Sequence, residues 1–243
     1  MRTTLKIITG STLMIALLMQ SCKKEATLAL PTQTDLSNSS LIRVYIATVN
    51  ASRNYVYVDG KPVTGSLLSS GSIFPASGVY ASGITPGIKS FLVKDTLTAS
   101  TQVPLSFSEN MQVNKNYTIF MYDTINSPKQ KTVLTNYLIP TDTTCSIRFA
   151  NFIYNPTIVP AIDVFSFNRN TNIFTNVPVT GVTDFIPYPT RLGVDTLYIR
   201  ETGTTVNIIK VVTSGVFQDK RNYTLVYRGS HRGTRLASLF TDR

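Results

Sequence analysis

The sequence predicts an all-β protein: two tandem β-sandwich modules, residues 40–140 and 141–243, behind an apolar leader and a polar tether. Three observations predict it. Thr, Ser, Asn, Val, Ile, Tyr and Phe dominate and only 15% of residues are charged, a composition poor in the Ala, Glu, Leu and Lys mixture that fills helices. Short alternating apolar runs recur between turn signals, without a helical period. Blocks of the second half also repeat blocks of the first at an offset of about 105–106 positions, which makes the repeat the unit of organisation.

The leader spans residues 1–21. Arg2 and Lys6 precede a mostly apolar run from Ile7 to Met19, and the segment closes Gln20-Ser21-Cys22. A basic start, a short apolar core and a small residue at the cut site are the parts of an export signal. The core, interrupted by Thr9-Gly10-Ser11-Thr12, is too short to span a bilayer as a stable helix. Ser21-Cys22 resembles the lipobox of bacterial lipoproteins, which implies cleavage before Cys22, its acylation, and a membrane as partner through that lipid. An ordinary signal peptide with an incidental cysteine is the alternative. Two or three acyl chains hold firmly where one binds marginally, at about 0.8 kcal/mol per buried methylene.

Residues 22–39 carry the lipidated cysteine and a polar stretch with a single proline, Pro31, and read as a flexible tether. About 17 flexible residues reach roughly 20–25 Å. Lys23 follows the cysteine where an Asp favours inner-membrane retention in Gram-negative lipoproteins, so the resemblance implies the outer membrane, facing periplasm or exterior. Cys145, the second of two cysteines, is expected as a small buried residue near a strand start rather than a disulfide partner or catalytic thiol.

The repeats are read from three blocks. Ile42-Arg43-Val44 corresponds to Ile147-Arg148-Phe149, the run from Pro86 to Val93 to that from Leu192 to Ile199, and Asn116-Tyr117-Thr118-Ile119 to Asn222-Tyr223-Thr224-Leu225. Within them, Tyr55-Val56-Tyr57-Val58 alternates before Asp59-Gly60, a pair able to take the positive φ of a tight hairpin. Ile88 to Val93 follows the turn pair Pro86-Gly87. Tyr117 to Tyr122 is apolar on both faces, as in the middle of a sandwich, and Tyr223 to Tyr227 matches it. Strand number and spacing give each module an immunoglobulin-like look, without the Cys-Trp-Cys signature of a true immunoglobulin domain.

These motifs resemble domain-of-unknown-function family 4397, a repeated module of bacterial secreted proteins and lipoproteins. Val56-Tyr57-Val58-Asp59-Gly60 and Tyr117-Thr118-Ile119 carry the likeness in the first copy. Arg148-Phe149, Asp163-Val164-Phe165, Gly193 and Tyr223-Thr224-Leu225 carry it in the second, where Phe167-Asn168 replaces the Asp-Gly turn. The resemblance implies an extracytoplasmic β-sandwich and brings no catalytic residues.

The formal net charge of +10 falls to +8 without Arg2 and Lys6, which favours anionic envelope partners and not nucleic acid for an exported chain. The single histidine, His231, lies in the loop Gly229-Ser230-His231-Arg232-Gly233 and is expected to be an exposed loop residue. No Cys/His spacing fits zinc and the acids are too scattered for a calcium loop, so no metal, cofactor or catalytic residue is assigned. Basic tips are expected at equivalent ends of the two modules: Lys129 and Lys131 in the first, Arg228, Arg232 and Arg235 in the second. Such arginines can fork onto carboxylate, sulfate or phosphate. Exposed tyrosines among Tyr55, Tyr57, Tyr80, Tyr122, Tyr154 and Tyr188 are a second lead, toward sugars. The expected function is non-catalytic binding or scaffolding at the envelope, with polysaccharide or another envelope protein as partner. An accessory subunit of a larger outer-membrane complex is the first alternative, and a glycan-degrading enzyme with two carboxylates about 5–10 Å apart is the second.

Overall fold

The computed structural model describes residues 36–191, 193–213 and 215–243. The expected export signal, Cys22 and the expected tether as far as residue 35 lie outside the described residues. Every regular element among the described residues is a strand, and no helix there is long and apolar enough to cross a membrane. The first repeat holds β1 (Ser40–Ile46), β2 (Asn54–Val58), β3 (Lys61–Pro62), β4 (Ile73–Phe74), β5 (Ser82–Ile84), β6 (Gly87–Asp95), β7 (Leu105–Met111), β8 (Asn116–Thr124) and β9 (Ser127–Leu134). The second holds β10 (Thr144–Tyr154), β11 (Ile162–Ser166), β12 (Thr171–Val177), β13 (Ile186–Pro189), β14 (Thr196–Glu201), β15 (Ile209–Val212), β16 (Asn222–Ser230) and β17 (Arg235–Thr241).

Four sheets result, two per repeat. In the first repeat one sheet runs β4-β1-β8-β9, with β5 also on β1, and the other runs β3-β2-β6-β7. In the second the corresponding sheets run β13-β10-β16-β17 and β12-β11-β14-β15. The match extends to direction. β1 pairs parallel with β8, Arg43 opposite Thr118, and β10 pairs parallel with β16, Arg148 opposite Thr224.

The period-2 alternation of a strand explains the layering. On β1, Ile42, Val44 and Ile46 join Val56, Val58, Phe91 and Val93 of the opposing sheet in one core. On β10, Ile147 and Phe149 join Val164, Leu197 and Ile199 in a second. Each repeat is therefore a sandwich-like pair of sheets with its own interior. The other faces of the same central strands are apolar too. Tyr45, Ala47 and Phe120 of the first repeat meet Ala150, Phe152, Val226 and Phe240 of the second in a third cluster. The two copies thus pack back to back through equivalent sheets, and Leu36–Arg243 forms one compact unit.

Local chemistry agrees with the sequence at several points. Asp59 and Gly60 take φ of 49° and 76° between β2 and β3, the type I′ geometry that suits the twist of a two-residue hairpin. In the second repeat the corresponding loop lengthens to residues 167–170, with Asn170 at φ 48°. Cys145 is fully buried near the start of β10, and burial pushes its thiol up to about 12.

Candidate functional site

The two hairpins that follow the Tyr-Thr motifs differ in how they hold their cations. In the second repeat, β16 and β17 are joined by a tip that its backbone fixes. Gly229 sits at φ 95°, and a Cβ there would run into the carbonyl oxygen of Thr234, so the close approach requires glycine. The Ser230 N–H donates to the Thr234 carbonyl at 2.9 Å, the Gly233 N–H to the Ser230 carbonyl at 3.0 Å, and the His231 N–H to the Tyr154 carbonyl at 2.8 Å. Arg235 Nε donates to the His231 carbonyl at 2.6 Å. Arg232 and Arg235 are exposed on this frame, and neither forms an ion pair among the described residues.

His231 is not the exposed residue expected. Its side chain is 16% exposed and its Nε2 lies 3.7 Å from Glu201 Oε1, because the tip folds back over β14. Arg228 departs from the tip as well. It faces the seam between the repeats, where its Nε donates to Ser238 Oγ at 3.0 Å and its Nη1 to Ser70 Oγ of the first repeat at 3.2 Å. A cleft of about 550 Å³ opens at this crossing, with Val49, Asn50 and Ser70 on one side and Arg228, Ser230 and Leu236 on the other.

The first repeat does not present a matching basic tip. Lys129 Nζ lies 2.8 Å from Asp123 Oδ2, and the bond to Asp123 holds the exposed ammonium above its usual value. Lys131 reaches the other way and donates to the Thr180 carbonyl of the second repeat at 2.6 Å. Of the five cations singled out, Arg232 and Arg235 are exposed, Lys129 is neutralised locally, and Arg228 and Lys131 each bind the opposite repeat. The runs that form β8 and β16 are apolar on both faces in sequence, but nothing local announces that a second copy of the module covers the outer face.

The tyrosines divide similarly. Tyr188 is a core residue, Tyr122 packs on Phe152 across the seam at 5.4 Å, and Tyr55 and Tyr57 meet edge to face at 6.5 Å with Lys94 over Tyr57.

Carboxylates are mostly committed to structure. Asp195, 1% exposed, accepts from Ser166 Oγ at 2.5 Å, from the Tyr188 hydroxyl, and from the N–H groups of Asn168 at 2.9 Å and Thr196 at 2.6 Å. Burial alone would raise its carboxyl, but those four donors hold it below the usual range. Asp163 accepts from Asn176 N–H and Thr202 Oγ1, both at 2.7 Å. Among the described residues no group of three or more His, Cys, Asp or Glu is placed to hold a metal ion.

No family model matches the chain, and no curated protein matches it in sequence. Among solved structures it is similar to the Bacillus anthracis TIE protein, at 8% identity over 84% of this chain and 43% of that one, with a TM-score of 0.24. It is similar also to the family 26 carbohydrate-binding module of Eubacterium rectale Amy13K in complex with maltoheptaose, at 9% identity, 82% and 95% coverage and a TM-score of 0.27. A streptococcal virulence factor described by its alpha-glucan binding gives 11% identity, 84% and 97% coverage and a TM-score of 0.28. The chain spans under half the length of the Bacillus protein. At scores this low, none of these likenesses bears on function.

Proposed function

We propose that this chain is a lipid-anchored envelope protein whose paired sandwiches form a non-catalytic binding module for an anionic polymer, engaged by Arg232 and Arg235. One observation carries the reading: two exposed residues, Arg232 and Arg235, without acidic partners among the described residues, stand on a tip fixed by Gly229 and its hydrogen bonds, next to the 550 Å³ cleft of the seam. A guanidinium presents a planar fork that suits carboxylate, sulfate or phosphate, and a pre-set backbone lowers the entropy lost on engagement. The reading treats each half as an immunoglobulin-like module of the family 4397 kind, tethered through Cys22 to the outer membrane.

The test uses the full chain. Arg232→Ser with Arg235→Ser should elute from heparin or lipopolysaccharide matrices at clearly lower salt than the parent, since each lost contact lowers the salt sensitivity of binding. Unchanged retention at low salt would remove the polymer reading. Separately, Cys22→Ser should release the protein from the membrane fraction, and a variant that stays bound would remove the anchor.

A further inference from the structure

A second pocket opens at the opposite end of the seam. β8 runs from Asn116 to Thr124; Val49 of the Arg228 cleft bridges to Thr124, while Asn116 lines a separate cavity of about 320 Å³. Tyr80 and Tyr137 form its aromatic wall, ring centroids 6.0 Å apart and inclined at 41°. The Arg243 guanidinium lies 5.4 Å from the Tyr80 centroid, and the Tyr80 hydroxyl donates to Asn116 Oδ1 at 3.3 Å. Lys115 and Asn136 complete the polar rim, and among the described residues no Asp or Glu lines the pocket. Neither Lys115 nor Arg243 forms an ion pair among the described residues.

The wall is held from behind. The buried Arg43 donates to the carbonyls of Val79, at 2.5 Å, and Tyr80, which fixes the backbone carrying the Tyr80 ring. Tyr137 is pushed up to about 12, first by burial and then by the nearby Asp242 carboxylate, so its hydroxyl remains a neutral donor. A tilted aromatic wall suits the C–H face of a sugar ring, amides suit its hydroxyls, and two cations that form no ion pair among the described residues suit one carboxylate. At about 320 Å³ the pocket is open to solvent and has room for a sugar ring laid against its wall.

We propose that this pocket binds a uronic acid residue, its ring against Tyr80 and Tyr137 and its carboxylate between Lys115 and Arg243. The site is separate from the Arg232–Arg235 tip, so either can fail without the other.

The experiment titrates the full chain in detergent with galacturonate trisaccharide, the matched neutral galactose trisaccharide, and inorganic sulfate, followed by calorimetry. The acidic sugar should bind about tenfold more tightly than the neutral one, and more tightly than sulfate. Lys115→Gln should weaken it about fivefold and Tyr80→Ala about tenfold, while Tyr80→Phe keeps the wall and most of the affinity. The Lys115→Gln and Tyr80→Ala losses should be the same whether Arg232 and Arg235 are intact or replaced by Ser. Absence of saturable binding, equal affinity for the neutral sugar, equal affinity for sulfate, or an unaltered Lys115→Gln variant would each overturn the assignment. Lys115 is exposed, so that variant stays informative even if Tyr80→Ala does not fold.

Discussion

Arg148 of β10 and Asp242, directly after β17 of the same sheet, form a buried ion pair, Nη2 to Oδ1 at 3.3 Å, with side chains 2% and 0% exposed. Arg43, the equivalent of Arg148 in the first repeat, brings its Nε to 4.0 Å from the same oxygen. One carboxylate therefore serves two buried guanidinium groups at a seam built from equivalent faces. Carbonyls and hydroxyls take much of the remaining demand. Arg148 donates to Thr118 Oγ1 at 2.9 Å and Thr135 Oγ1 at 3.3 Å across the seam, and Arg43 crosses the other way to the carbonyls of Asp242 at 2.6 Å and Thr241 at 3.3 Å. Burial pushes the Asp242 carboxyl up, against the pull of Arg148, the Thr224 hydroxyl and Arg43. Burial likewise lowers Arg148.

Removing the shared carboxylate should cost far more than the pair contributes. Asp242→Asn leaves two guanidinium groups buried without a counter-charge, and breaking such a pair costs about 3–5 kcal/mol. Urea unfolding of the parent should show one transition for both repeats, and the variant a lower midpoint or two separate transitions. A variant within error of the parent would mean that the seam does not depend on Asp242. Arg43→Met with Asp242→Asn should recover part of the loss, because one uncompensated charge is gone.

Two glycines with positive φ should respond differently to the same added methyl. At Gly60 a Cβ has open space around it, so Gly60→Ala carries only the left-handed backbone strain, about 1 kcal/mol. At Gly229 a Cβ adds a collision with the Thr234 carbonyl to the strain, and the cost should rise to about 2–3 kcal/mol. Comparison of the two melting curves checks the order, and Gly229→Ala alone should also reduce retention on heparin by displacing Arg232 and Arg235.

Much of the fold was legible in sequence because its signals are local. Asp59-Gly60 declares its turn, Tyr55 to Val58 alternates, and the repeated blocks fall on β1 and β10, β6 and β14, and β8 and β16. The double-faced apolarity of Tyr117 to Tyr122 was visible as well. Its physical reason was not, since Phe120 is covered by the other copy and not by its own sandwich. The site was less legible for the same reason. Arg43 and Arg148 sit in strands as polar residues that would normally face water, and the acid they share lies 94 residues from Arg148. Arg228 and Lys131 read as tip cations but bind across the seam to Ser70 and Thr180. Tyr137, Lys115 and Arg243, which meet around Tyr80, share no spacing that would have joined them.

Acid should weaken the second repeat through Asp195. Its carboxyl is held below the usual value near 3.9. A depressed native pKa gives stability that is fully present above the unfolded value and is lost as pH falls through the native one. Urea midpoints measured from pH 6 down to pH 2 should therefore drop below about pH 4. In Asp195→Asn, an NH₂ would face donors from Ser166, Tyr188 and the backbone, and the loss at neutral pH should be about 2–3 kcal/mol. Parent and variant should converge at the acid end. A constant difference at every pH would show that Asp195 does not ionise in the way its donors require.

The seam itself can be tested through its apolar centre. Phe120 stacks on Phe152 of the other repeat with centroids 4.6 Å apart and lies 6.0 Å from Tyr45, and all three rings are fully buried. Phe120→Ala removes a ring from between two sheets whose backbones are tied elsewhere, so the space cannot close fully, and the cost should be about 3–5 kcal/mol. Where that cost appears distinguishes a seam from a core. Each sandwich keeps its own interior, around Phe91 in the first repeat and Phe149 in the second. Phe120→Ala should therefore loosen the contact between the repeats while leaving both interiors intact. Amide exchange should accelerate in β1, β8, β10 and β16 more than in β6 and β14, and proteolysis should begin in the connection at residues 135–143. Phe91→Ala, a deletion of the same size inside one sandwich, should instead speed exchange in β2, β6 and β7. Identical exchange patterns for the two variants would mean that the two copies fold as one undivided core and that the seam has no separate standing.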